Sequence, residues 1–275
     1  MSIKLMYITN KPSVAVIAEE CGVDSIWVDL EVLGKEERQR SMNTVKSCHT
    51  VEDVRTISKV LKKSEMLVRI NSWNANSEEE IEQVISAGAQ RIMLPMWKTP
   101  EEVNLFLKKV NGRTATTLLL ETKEAVECLD EVLKNPLIDE IHIGLNDLHL
   151  SYGLDFMFEP LANGCVDELC KKMKKAGIRY GFGGVAKLGD GTIPAEMIIM
   201  EHYRLGSTRA ILSRSFCNTD EVKDIEKVEN IFKTEISKMR AFEESLERCT
   251  PEMFEENRKA IKAAIEKTAE CIKNR

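Results

Sequence analysis

Short apolar runs alternate along the chain with longer stretches in which apolar residues recur every three or four positions. The first pattern is that of strands buried on both faces, the second that of amphipathic helices. It predicts strands at 2–9, 25–31, 65–71, 89–95, 115–121, 138–144, 178–184 and 208–214, with helices at 78–87, 100–110 and 123–133 among the segments between them. Thr99-Pro100-Glu101-Glu102 marks one helix start with a cap and a proline at the first helical position. Eight such repeats favour an α/β fold closed as a (β/α)₈ TIM barrel over an open doubly wound sheet. No Gly-x-Gly-x-x-Gly turn follows the first strand to support the open form.

Beyond the last strand the pattern becomes purely helical. Ile225, Val228, Ile231, Phe232, Ile236, Met239 and Phe242 form an apolar stripe within 220–248, and Thr250-Pro251-Glu252 starts a second helix towards Arg275. The expected organisation is a barrel core over 1–218 with C-terminal helices over 219–275 in the same domain. These helices pack on the barrel or on a neighbouring subunit, and part of the stripe is expected to serve a homo-oligomer.

Composition adds exclusions. A chain of 275 residues is close to the roughly 250 typical of one such barrel. A formal charge of −6 argues against nucleic acid as a partner. No apolar stretch approaches the ~20 residues of a membrane span, and the first residues carry no signal-peptide core, so a cytoplasmic protein is expected. Eight cysteines, at 21, 48, 128, 165, 170, 217, 249 and 271, form no Cys-x-x-Cys pair. They read as reduced, mostly buried small hydrophobes rather than zinc ligands or a disulfide framework.

The candidate chemistry lies at the strand ends, the face where parallel α/β folds keep their active sites. Glu121 and Asp147 each follow an apolar run, and two carboxylates from different strands suit a hard divalent cation. Asp29 and Glu31 follow strand 2, Arg69 and Asn71 close strand 3, and Ser213 and Arg214 close strand 8. Each has a structural alternative: Glu121 as a partner of Arg69, Asp147 as the cap of a helix from Leu148, Asp29 and Glu31 as loop anchors. Gly181-Phe182-Gly183-Gly184 could present N–H groups to an anionic ligand or only relieve crowding at a barrel corner.

Four segments in order resemble the HpcH/HpaI aldolase and citrate lyase family. They are Ile26-Trp27-Val28-Asp29-Leu30-Glu31, Leu67-Val68-Arg69-Ile70-Asn71, Ala87 to Pro95, and Leu120-Glu121-Thr122 with Ile143-Gly144-Leu145-Asn146-Asp147-Leu148. The resemblance implies that Glu121 and Asp147 bind Mg²⁺ or Mn²⁺, and that Arg69 contacts the carboxylate and enolate oxygen of a 2-oxo acid. It implies a metal-dependent aldolase that cleaves or forms a 4-hydroxy-2-oxo acid, with a small-molecule 2-oxo acid and an aldehyde as its reactants. Asp29, Glu31, Asn71, Gly183, Gly184 and Arg214 are then expected around the substrate. A CoA-ester lyase, or a barrel that binds such acids without turnover, are the alternatives.

Two positions depart from the pyruvate aldolase pattern: Val32 replaces a proton-transferring histidine and Leu119 replaces a glutamine. The aspartate that the CoA-lyase branch carries after the strand 2 glutamate is absent too. The long segment Val32–Thr50, with Lys35, Arg38, Arg40, Lys46 and His49, offers a substitute. His49 is the expected base, with His149 in reserve, since an imidazole titrates near neutrality.

Overall fold

The computed structural model describes residues 2–34 and 49–274, so Lys35, Arg38, Arg40 and Lys46 lie outside the described residues. Strands and helices alternate: β1 (Lys4–Ile8), α1 (Pro12–Glu20), β2 (Ser25–Asp29), α2 (Val51–Val60), β3 (Glu65–Arg69), α3 (Ser77–Ser86), β4 (Arg91–Leu94) and α4 (Pro100–Val110). β5 (Ala115–Leu120), α5 (Lys123–Val132), β6 (Glu140–Ile143), α6 (Leu145–Ser151), α7 (Glu159–Ala162) and α8 (Cys165–Lys175) follow. β7 (Arg179–Phe182), β8 (Gly184–Val185), α9 (Ala195–Leu205) and β9 (Arg209–Leu212) complete the barrel, and α10 (Ile225–Leu246) and α11 (Pro251–Lys273) come last.

Every strand pairing is parallel, in the order β7-β6-β5-β4-β3-β2-β1-β9-β8. The two ends of that order, β7 and β8, are joined by Gly183, so the sheet closes on itself. The expected seventh strand, 178–184, is therefore two short pieces. Gly183 has φ +51°, and a Cβ there would come 2.8 Å from Leu145 Cδ1, which only glycine avoids. Its N–H donates to Ile143 O across to β6, while its carbonyl accepts from Ile211 N of β9.

Local chemistry explains the helix starts. Thr99 and Glu102 form a capping box at α4, as do Thr50 and Asp53 at α2, and the Thr122 side chain accepts from Ala125 N at α5.

The register stacks lumen-facing side chains in layers contributed by alternate strands. Ser25, Arg91, Glu140 and Arg209 form the lowest. Arg91 and Arg209, both nearly fully buried, share Glu65, at 2.9 and 3.1 Å. Burial raises the Glu65 pKa, but the two arginines outweigh it and hold the carboxyl below its usual range. Glu65→Ala should cost about 3 kcal/mol at pH 7, because buried Arg91 loses its ion-pair partner while Arg209 keeps Glu140 at 3.1 Å. A group with a depressed folded-state pKa stabilises above its unfolded value, ~4.3, and loses that contribution as pH falls through the folded one. Urea unfolding should therefore show the gap between wild type and variant closing below about pH 4.

Part of the stripe packs on the chain's own barrel, while Ile225 is exposed and Ile231 and Phe242 are half-buried. Val228, Phe232, Ile236 and Met239 of α10 are buried, with Phe232 edge-on to Tyr7 at 4.9 Å and to Phe216 at 5.5 Å. Asn257 of α11 donates to Met197 O and Glu201 Oε1 of α9. The cysteines also depart from expectation. The seven described ones are free thiols, but only Cys170 and Cys217 are buried. Among the described residues, no helix is long and apolar enough to cross a membrane.

Candidate active site

The C-terminal ends of the strands surround a cavity of about 510 Å³, within the range of small-molecule sites. Asp29, His49, Arg69, Glu121, Asp147, Gly183, Gly184 and Arg214 all line it. These come from seven separate stretches of chain, brought together because each follows or ends a barrel strand.

Arg69 is the most constrained. Its Nε and Nη2 donate to the two Asp29 carboxylate oxygens, each at 2.8 Å, and Nη2 lies 3.2 Å from Glu31 Oε2. The guanidinium also sits 5.1 Å from the Trp27 ring centroid. Burial opposes its charge, but Asp29 and Glu31 more than offset this and raise its pKa. The fork is held in one orientation, and Nη1 makes no hydrogen bond among the described residues. The partner of Arg69 is thus Asp29, with Glu31 behind it, rather than Glu121.

Glu121 is 2 % exposed, and its Oε1 accepts from Met96 N at 3.1 Å, where Met96 has φ +53°. Burial first, then Asp147 and Glu31, push its carboxyl well above the usual range against the opposing pull of Arg69. Asp147 sits in the first turn of α6, which begins at Leu145 with Gly144 at the cap position, so Asp147 is not the cap of a helix from Leu148. Gly144 lies between the two carboxylates in sequence, and a Cβ there would come 2.7 Å from Glu121 Oε2. The space beside that oxygen is open because residue 144 has no side chain. Crowded acidic groups with such a gap suit a hard cation that takes oxygen ligands and keeps several waters. Among the described residues no group of three or more His, Cys, Asp or Glu is placed to hold a metal ion.

His49 reaches the rim, where its Nδ1 accepts from Asp29 N at 3.0 Å. In the neutral ring the proton is then on Nε2. Glu31 and Asn71 do not line the cavity. Asn71 Oδ1 accepts from Val32 N and Leu33 N, and its Nδ2 donates to Glu80, so it anchors the start of the strand 2 loop. His149 is buried in α6 away from the cavity. Arg214 is exposed and lines the same cavity as Lys11, whose Nζ donates to Thr219 O and Asp220. Gly183 N–H is spent on the ladder, which favours crowding over anion binding as the reason for glycine there.

Trp27 and His142 also line the cavity and were not anticipated. The available signal was the two-residue period, which turns 27 towards the lumen with 25 and 29, and 142 with 140.

A closed parallel barrel with polar side chains converging on a cavity at its C-terminal rim defines a TIM-barrel scaffold of the kind that carries small-molecule sites. The HpcH/HpaI aldolase/citrate lyase family model matches residues 4–158, more than half of the chain, and the chain belongs to that family. Among solved structures, the HpcH/HpaI aldolase from Desulfitobacterium hafniense DCB-2 superposes with a TM-score of 0.63 at 16 % identity, covering 82 % of this chain and 93 % of that one. Citrate synthase SbnG gives 0.60 at 15 % identity, covering 83 % and 94 %, and macrophomate synthase 0.55 at 15 %, covering 78 % and 77 %. These likenesses establish the shared barrel. No match is found among curated protein sequences.

Proposed function

We propose that this protein is a metal-dependent carbon–carbon lyase, a class II aldolase that forms or cleaves a 4-hydroxy-2-oxo acid through a pyruvate-type enolate. The observation that carries this reading is the meeting of Glu121, Asp147 and the rigidly held Arg69 around one cavity. Mg²⁺ or Mn²⁺ held by Glu121 and Asp147 would supply Lewis-acid stabilisation of the negative charge that develops beside the ketone. Arg69, with Nη1 left for a ligand, binds the carboxylate end and adds fixed positive charge where water is excluded. Asp29 and Glu31 keep the guanidinium in place, so its orientation costs nothing at the moment of reaction. His49, held at the rim by its Nδ1, is the candidate for proton transfer. The cavity lining that includes Arg214 accepts the aldehyde.

The reading is tested by adding Mn²⁺ to the purified protein and following thermal unfolding. At a hundred times its dissociation constant a metal bound only to the folded state adds about 2.7 kcal/mol. For a chain of this size that raises Tm by roughly 5 °C. The rise should vanish in Asp147→Asn. A wild-type Tm indifferent to millimolar Mn²⁺ and Mg²⁺ would remove the metal from the account.

A further inference from the structure

Among the described residues two that are not glycine hold a left-handed backbone, Met96 at φ +53° and Asn111 at φ +51°. Asn111 is accounted for locally. It is the C-cap of α4, its N–H donates to Leu107 O, and asparagine is one of the few residues that take this conformation readily. Met96 caps no helix and has no side chain suited to the left-handed region, so the surrounding structure imposes its conformation.

The groups that impose it belong to the rim of the barrel. Pro95 and Trp97, on either side of Met96, are buried, and Trp97 is 0 % exposed. Thr122 Oγ1 donates to Trp97 O at 2.8 Å and accepts from Ala125 N at the start of α5. The turn after β4 is thereby tied to the residue that follows Glu121. One residue back along each segment, Met96 N donates to Glu121 Oε1 at 3.1 Å. With Trp97 seated in the core and its carbonyl held, the φ of Met96 sets where its own N–H points relative to that anchor. Met96 does not line the cavity, so what it offers the site is this N–H. Glu121 Oε2 makes no hydrogen bond among the described residues, and it faces the room left by the missing side chain of Gly144.

We propose that Met96 is a positioning residue for Glu121: its left-handed backbone aims the amide at Oε1 and so presents Oε2 to the cation. The inference rests on the metal-site reading above and adds to it the residue that orients one of the two carboxylates. Met96 acts through its backbone rather than its side chain. Strain of this kind persists at functional sites where the neighbouring structure over-determines it.

The test is the Mn²⁺ dissociation constant of the folded protein, measured by calorimetry in the wild type and three variants. Met96→Ala and Met96→Gly both keep the N–H, and glycine takes a positive φ at no steric cost. Both should bind Mn²⁺ as the wild type does. Met96→Ile puts a β-branched side chain where a positive φ is an outlier, so the turn leaves the left-handed region and the N–H turns with it. Its affinity should fall by about 10–100-fold, the usual loss when a group supporting a metal ligand is removed. Amide hydrogen exchange in the metal-free protein, followed by NMR with ¹⁵N-labelled methionine, reads the same bond without a strained variant. Relative to Met66 and Met93 in the strands, the Met96 amide should exchange roughly tenfold faster in Glu121→Ala than in the wild type, the worth of one net hydrogen bond.

Wild-type affinity in Met96→Ile would overturn the inference and leave the metal-site reading intact, since the turn would then serve only to seat Trp97. A loss in Met96→Gly equal to that in Met96→Ile would overturn it as well, and so would equal exchange rates in the wild type and Glu121→Ala. Failure of the wild type to bind Mn²⁺ removes the metal-site reading and this inference together.

Discussion

Replacing Arg69 by methionine is expected to slow enolate formation by about 10²–10³-fold and to weaken the fold in the same variant. Asp29 and Glu31 are both nearly fully buried against the guanidinium. Removing one partner of a buried pair leaves charge uncompensated, at a cost of about 3–5 kcal/mol. The loss of a preorganised donor to the developing oxyanion should slow the reaction by about 10²–10³-fold. The double variant Arg69→Met/Asp29→Asn separates the two effects. It removes a stranded carboxylate, so urea unfolding should recover part of the lost stability, while activity stays lost. Exchange or turnover above a tenth of wild type in Arg69→Met would mean that the arginine is structural only.

The second large effect concerns Glu121. Glu121→Gln should weaken Mn²⁺ binding by at least ~100-fold, more than the loss of a supporting group usually costs a metal site. The stability consequence has the opposite sign without metal. Burial, Asp147 and Glu31 raise the Glu121 carboxyl in the folded state. A raised folded-state pKa contributes stability that is complete below the unfolded value, ~4.3, and is lost as pH rises through the folded one. Metal-free Glu121→Gln should therefore be more stable than wild type at pH 8, with the difference shrinking as pH falls. Saturating Mn²⁺ should reverse the order. Calorimetric unfolding at two pH values, with and without metal, reads both statements. Equal metal affinity in the two proteins would place the cation elsewhere.

The strands were legible because buried parallel strands must be continuously apolar, and each expected run holds a strand. Asp29, Arg69, Glu121 and Asp147 stood out because a charge directly after such a run has only the barrel rim to occupy. Asn71 has the same signature, yet its amide turns to Val32, Leu33 and Glu80, and strand position alone does not fix what a short polar side chain will bond. Trp27 and His142 were hidden for another reason. Both are ordinary lumen residues by period, and that they share one layer follows from the stagger between β2 and β6, which depends on every pairing between them. The amphipathic stripe of α10 was clear, but a stripe says only that something covers it. Here Tyr7 and Phe216 of the same chain cover Phe232, while Ile225 stays exposed. The break at Gly183 needed the closed ring, since the crowding against Leu145 arises only when β6 and α6 are in place.

The measurement that bears most directly on the central claim is deuterium exchange at the pyruvate methyl group in D₂O, followed by NMR with and without Mn²⁺ or Mg²⁺. It reports enolate formation without requiring the aldehyde to be known. The account predicts exchange that depends on the metal, is lost in Glu121→Gln and falls about 10²–10³-fold in Arg69→Met. Absence of exchange with either metal, in protein shown to bind pyruvate, would contradict it.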